Sequence, residues 1–292
     1  MIICRLLKPF LICLLCLTAI SNATAAEKRV ALIIGNSNYL EQASLPNPTN
    51  DAKAVGKKLS AMGFAVTVLL DARKPEFDRK LGEFSERASA SDVALVYYAG
   101  HGIEIDGMNY LIPVDAVLET DKKAPFETVS LDSVMKAVEG AQKLKIVILD
   151  ACRNNPFIAE MRTIGSKRAI HRGLGELPKD DLTKDDNSIV AFSAAPGAQA
   201  EDGDGENSPY TTAFLKRVDE NVEIGMLFRK IRDDVRRSTG AGQTPYLSAN
   251  LTGEEIFLSD KKAETKDTVE GDKPGPSADD AGAAAAWEFV KD

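Results

Sequence analysis

The stretch DVALVYYAGHG, residues 92–102, decides how this chain folds. From Val93 to Ala99 it has no charge and no proline, and it is rich in β-branched and aromatic side chains. A short run of that kind, closed by a glycine, reads as a strand buried on both faces. Outward from it, RVALIIG at 29–35, KIVIL at 145–149 and SIVAFSA at 188–194 have the same character, and FAVTVLL at 64–70 is a further strand. Amphipathic segments separate them. Thr49 or Asn50 is expected to cap a helix running to about Met62, with Ala52, Val55 and Leu59 at helical spacing. Pro75 to Ala88 puts Phe77, Leu81 and Phe84 on one helical face, and Ser130 can cap a helix to about Ala141. Ile103 to Ile112 reads as a hairpin turning at Asp106-Gly107. Helices follow at about Tyr210–Val218 and Ile224–Arg237, and a last strand is expected near Glu255–Leu258. Strands alternating with helices predict an α/β fold: a mostly parallel six-stranded sheet with helices on both faces.

The ends of the chain differ from this centre. Residues 1–25 read as an export signal: Arg5 and Lys8 lead, Phe10–Ile20 is uncharged and apolar, and Ala23-Thr24-Ala25 suits cleavage. The uncharged run is short for a membrane span, which needs about 20 apolar residues. Neither Cys13 nor Cys16 follows a small residue, which argues against a lipoprotein signal. The expected location is therefore outside the cytoplasm, periplasmic or secreted, in a bacterium, with no membrane span after signal removal. Without that signal the chain holds 34 basic and 44 acidic side chains, a net charge of −10. Such an acidic balance disfavours a nucleic-acid partner. Residues 28–258 form the expected single domain, divided into 28–156, a polar exposed linker at 157–187, and 188–258. Residues 259–292 read as a polar, alanine-rich tail.

Cys4, Cys13 and Cys16 fall within the signal, so the mature chain keeps one thiol, Cys152. It stands just past the strand Lys145–Leu149, as His101 stands just past Asp92–Ala99. In an open α/β sheet, ligands bind at that edge. The only other histidine, His171, falls in the polar linker. A thiolate is a strong nucleophile, and a neighbouring imidazole can take the thiol proton and later protonate a leaving amine. The amides of Gly102 and Cys152 can donate to a developing oxyanion. Each residue alone has a bland reading, a small hydrophobe or a structural histidine; the pair favours chemistry. No metal site is read here, since one thiol and one imidazole fall short of a zinc ligand set. There is no Gly-x-Ser-x-Gly elbow and no phosphate-binding glycine loop.

With these residues in place, the chain resembles the caspase–metacaspase superfamily of cysteine peptidases, and most its bacterial, orthocaspase-type members. Residues 31–38 (ALIIGNSN), 98–102 (YAGHG), 150–153 (DACR) and 192–197 (FSAAPG) carry the resemblance in the right order across about 28–258. It implies a caspase-like sheet, a His101–Cys152 dyad, oxyanion donors at Gly102 and Cys152, and a thioacyl-enzyme. Aspartate-directed caspases have a glutamine two residues before the nucleophile; here that position is Asp150. An arginine of their pocket falls, by counting, at Asp202. Metacaspases place an acid in Leu-x-Gly-Cys-x-Asn-Asp; this chain reads LPNPTND at 45–51, which matches Asp51 while Asn47 and Pro48 replace Gly-Cys. The bland reading is a helix-capping Asp51 and a solvated Asp202. Three acids in one pocket would repel an acidic side chain and favour cleavage after arginine or lysine of a peptide or protein substrate.

The linker carries Arg162, Lys167, Arg168, Arg172, Lys179 and Lys184, which makes it a candidate self-substrate. No cofactor is required by this reading. Calcium stays open, because Asp180, Asp181, Asp185 and Asp186 could supply hard oxygen ligands or simply form a solvated acidic run. Two other readings stay open: an idle caspase-like module that binds protein, and a transpeptidase using the same acyl-enzyme. The sequence is silent on oligomeric state.

Overall fold

The computed structural model describes residues 27–152, 157, 161, 170–172, 174–175, 187–196, 198 and 200–259, with 152 and 170–172 by their backbone only. The proposed signal, most of the 157–187 segment with Asp180, Asp181, Asp185 and Asp186, and the tail from residue 260 lie outside the described residues.

Strands β1 (Arg29–Gly35), β2 (Ala65–Leu70), β3 (Val93–Ile105), β6 (Leu144–Cys152), β8 (Ser188–Phe192) and β9 (Tyr246–Asn250) lie side by side in the order β2-β1-β3-β6-β8-β9. All neighbours are parallel except β8 and β9. This is the expected mostly parallel six-stranded sheet. The apolar runs are uninterrupted because alternate residues serve opposite faces. Leu32, Ile34, Val96, Tyr98, Val147 and Leu149 meet the face packed by α2 (Lys74–Ser89) and α4 (Leu131–Glu139), through Phe77, Phe84 and Val134. Ala31, Ile33, Leu95, Tyr97, Ile146 and Ile148 meet α1 (Pro48–Ala61), α5 (Pro209–Arg217) and α6 (Ile224–Ser238), through Val55, Leu59, Phe214 and Ile231.

A smaller antiparallel group extends β3 past the sheet. β4 (Met108–Leu111) pairs with β3 and with β5 (Val129–Ser130), which follows the single turn α3 (Ala124–Glu127). Asp106 (φ 54°) and Gly107 (φ 80°) make the hairpin turn, as expected from their sequence.

Several expectations are corrected. Helix α1 begins at Pro48, with Asn47 rather than Thr49 or Asn50 in the cap position. Proline suits the first turn because its missing N–H would have no helical partner. The last strand is Tyr246–Asn250, antiparallel to β8, and not Glu255–Leu258, which contributes one bridge between Phe257 and Glu223. The 157–187 segment is not wholly exposed. Ile170–Arg172 forms β7 against Glu104 and Ile105, while Phe157, Met161 and Leu174 are buried. His171 sits in that strand.

Candidate active site

The site grows from the register of β3 and β6. Their parallel pairing runs from Val93↔Leu144 to Ala99↔Asp150, Gly100↔Ala151 and His101↔Cys152. The sequence put His101 and Cys152 beyond their strands; instead both strands run through them, because the hairpin and the neighbouring ladder keep the backbone paired. The two backbones are thus adjacent across one strand spacing, about 4.8 Å.

His101 is held from all sides. Its N–H donates to the Tyr39 hydroxyl at 2.7 Å, and its carbonyl lies 2.7 Å from the Tyr98 hydroxyl. The Tyr39 ring tilts against the imidazole at 4.6 Å between centroids, and Phe157 meets it edge-on at 6.0 Å. Gly100 permits this arrangement. Its φ is +153°, and a Cβ there would lie 2.7 Å from both tyrosine hydroxyls. The imidazole is 1% exposed, and neither ring nitrogen has a partner among the described residues. Burial drives its pKa down to about 4, so it is neutral at physiological pH. Ile112 donates to the His101 carbonyl, which makes Gly102↔Leu111 the non-bonded pair of the β3–β4 ladder. The Gly102 amide therefore faces away from β4 and toward β6, within the ladder that pairs His101 with Cys152.

Two residues before Cys152, Asp150 is 5% exposed. Its Oδ2 accepts from Thr211 Oγ1 at 2.9 Å, from Ser208 Oγ, and from Tyr97 OH at 3.4 Å. Ser193 adds a further hydrogen bond. Asp51, in the first turn of α1, is 1% exposed and does not cap the helix. Its Oδ1 accepts from Asn207 Nδ2 at 2.8 Å and from Ser208 N at 3.1 Å. Ser208 therefore touches both acids, one through its amide and one through its hydroxyl. Asp202 belongs to the same cluster: its charge raises both other carboxyls, and its carbonyl accepts from Asn47 Nδ2 at 2.5 Å. Burial and the charge of Asp150 push Asp51 up to about 8. Burial raises Asp150 as well.

The structure thus brings His101 beside Cys152 and gathers Asp51, Asp150 and Asp202. The sequence reading missed the neutral donors Tyr97, Ser193, Asn207, Ser208 and Thr211. The helix expected from about Tyr210 starts at Pro209, and Ser208 caps it, with Thr211 N donating to Ser208 Oγ at 2.9 Å. That the same hydroxyl would serve Asp150 depends on how the 200–208 loop folds back. Among the described residues no group of three His, Cys, Asp or Glu side chains is arranged to hold a metal ion.

The sequence model of the caspase domain family matches residues 28–255. The human mucosa-associated lymphoid tissue lymphoma translocation protein 1 is 27% identical over 255 residues, covering 84% of this chain and 28% of that protein. Its mouse homologue is also 27% identical, covering 84% of this chain and 27% of its own length. The chain thus spans little more than a quarter of the curated relatives it matches. Among solved structures, caspase-1 from Spodoptera frugiperda superimposes with a TM-score of 0.56 at 18% identity, over 81% of this chain and 92% of that one.

Proposed function

The chain belongs to the caspase domain family, and from that premise we propose that it is an exported cysteine endopeptidase that cleaves after arginine or lysine. Cys152 acts as nucleophile and His101 as its base and acid. Asp51, Asp150 and Asp202 receive the basic side chain. The observation that carries this reading is that Ser208 bonds both Asp51 and Asp150, with Asp202 close enough for its charge to act on them and Asp150 two residues from Cys152.

The chemistry follows from the environment of each group. The neutral imidazole of His101 accepts the Cys152 thiol proton. The thiolate sulfur then bonds to the scissile carbonyl carbon, and the carbonyl π electrons move to oxygen. The Gly102 and Cys152 amides donate to that oxyanion. When the tetrahedral species collapses, the C–N bond breaks and the imidazolium protonates the departing amine. A thioester is left. Water adds to it, His101 takes the water proton, and the C–S bond breaks to release the carboxylic acid and the thiol. The dry surroundings of His101 favour its neutral form, which is the form the first step needs.

Matched fluorogenic peptides ending in arginine, lysine or aspartate test the proposal. Like-charge contact costs several kcal/mol, so kcat/KM for the basic peptides should exceed that for the aspartyl peptide by about 100-fold or more. Cys152→Ala should cleave none of them. Faster cleavage of the aspartyl peptide would overturn the specificity. Equal rates with calcium and with a chelator assign catalysis to the chain's own groups.

A further inference from the structure

The acid cluster gathers three carboxyl groups, and among the described residues no cation pairs with Asp51 or Asp150. Among the described residues, the hydrogen bonds to Asp51 and Asp150 come from neutral groups: Asn207 and the Ser208 amide on one, Ser208, Thr211, Tyr97 and Ser193 hydroxyls on the other. No ion pair among the described residues reaches either carboxylate. The groups that face the pair repeat the pattern on each element. β6 supplies Asp150, α1 supplies Asp51 and the 200–208 loop supplies Asp202. β3 supplies Tyr97 and α5 supplies Tyr210, phenols held neutral by burial and by the field of Asp150.

Buried carboxylates this close cannot all ionise, because each adds both a desolvation cost and repulsion of its neighbours. Hydroxyl donors soften that cost without removing the charge. Near neutral pH the Asp51–Asp150 pair therefore keeps a proton, which belongs to the pair rather than to either residue. A guanidinium or ammonium entering the cluster brings a positive charge to the Asp51–Asp150 pair.

We propose that binding of a basic side chain expels this proton, so that cation recognition and proton release are a single event. The proposal rests on the basic specificity argued above. In balanced form, the protonated pair and the cationic side chain combine to give the doubly ionised pair around the cation plus one proton in solvent. An opposite charge within about 4–6 Å lowers a carboxyl pKa by roughly 1–3 units. With the Asp51 carboxyl pushed up to about 8 in the free protein, a two-unit fall gives roughly fivefold tighter binding from pH 6 to pH 7. Above about 8 the gain levels off. A citrulline side chain has the shape of arginine and no charge, so it binds the protonated pair and releases nothing.

Calorimetric titration of the Cys152→Ala protein tests this with capped peptides ending in arginine, citrulline or aspartate. Each is run at pH 6, 7 and 8 in two buffers of different ionisation enthalpy. The expected result is release of about half to one proton with the arginyl peptide at pH 7 and close to none with citrulline. Asp51→Asn should reduce the arginyl release to near zero while retaining the fold, read by its thermal transition. Arginyl binding that is flat with pH and independent of buffer overturns the proton linkage and leaves basic specificity standing. Failure of the arginyl peptide to bind at pH 8 overturns both, whether or not the aspartyl peptide binds.

Discussion

His101 and Asp51 carry opposite pH signatures, and both follow from burial. Unfolded, an imidazole titrates near 6.5; folded, His101 titrates at about 4. As pH falls, the unfolded chain takes the proton first. The stability contributed by the neutral ring is thus complete above 6.5 and is lost between 6.5 and 4, on the order of 2–3 kcal/mol. His101→Gln lacks that loss, so the wild-type advantage over the variant should shrink from pH 7.5 to pH 4.5 in thermal denaturation. The same variant should lower kcat/KM at least about 100-fold, as expected for loss of a general base. Asp51 behaves the other way. Its carboxyl titrates at about 8 in the fold against 3.8 unfolded, so the folded chain holds the proton more tightly. Its contribution is full below 3.8 and is lost as pH rises to about 8. Asp51→Asn escapes that loss and should raise the melting temperature at pH 8, on the order of a few kcal/mol, with the gap closing toward pH 4. A variant less stable than wild type at pH 8 would contradict the burial argument. At this scale the sequence was informative where residue types are rare. Two histidines, and one cysteine beyond residue 16, leave few pairings, whereas Ser193, Ser208 and Thr211 look like any loop or helix hydroxyl until the fold places them on Asp150.

Among the elements, α5 links folding to the acid cluster most directly. Ser208 caps it, Pro209 opens it, and Thr211 lies one turn in, so two donors to Asp150 come from one helix start. The cap alone is worth about 1 kcal/mol, and a buried acceptor that loses a donor costs about 1–3 more. Ser208→Ala should therefore destabilise the domain by roughly 2–4 kcal/mol in urea unfolding. For basic substrates it should raise KM more than it lowers kcat. An unchanged KM would separate the cap from recognition. Helix α1, which carries Asp51, is docked with no room to spare: a Cβ on Gly35 would lie 2.3 Å from the Pro48 carbonyl oxygen. The buried parallel strands were legible because they need continuous apolar runs. β9 was not, since Tyr246–Asn250 is a half-exposed edge with mixed polarity, and β7 is three residues long with no pattern to detect. Glu255–Leu258 attracted a strand assignment through Ile256, Phe257 and Leu258; Ile256 and Leu258 pack on the core instead, and Phe257 is exposed.

Across the whole molecule, those last residues close the sheet at the end remote from His101. Leu258 is buried in the cluster beneath α5 and α6. Its carbonyl accepts from Arg29 Nη1 at 2.9 Å, at the first residue of β1. Arg29 also pairs with Glu27 at 2.6 Å and lies 5.8 Å from the Phe64 ring centroid. Ile224, first in α6, donates to the Ile256 carbonyl at 2.8 Å. The 251–259 segment therefore joins a β1 residue early in the chain to a helix late in it. A charged group left buried without its acceptor is costly, and burying a leucine or isoleucine side chain contributes about 1.5–3 kcal/mol. A chain of residues 27–259 should unfold with the stability of the longer protein. One ending at Asn250 strips Leu258, Ile256 and the acceptor of Arg29, and should lose roughly 3–6 kcal/mol in urea denaturation. Because β3, β6 and β8 lie between this seam and the edge at β9, the loss should appear as one cooperative transition at lower urea. A separate early phase with the main transition unmoved would mean that the segment is an appendage and that the sheet closes without it.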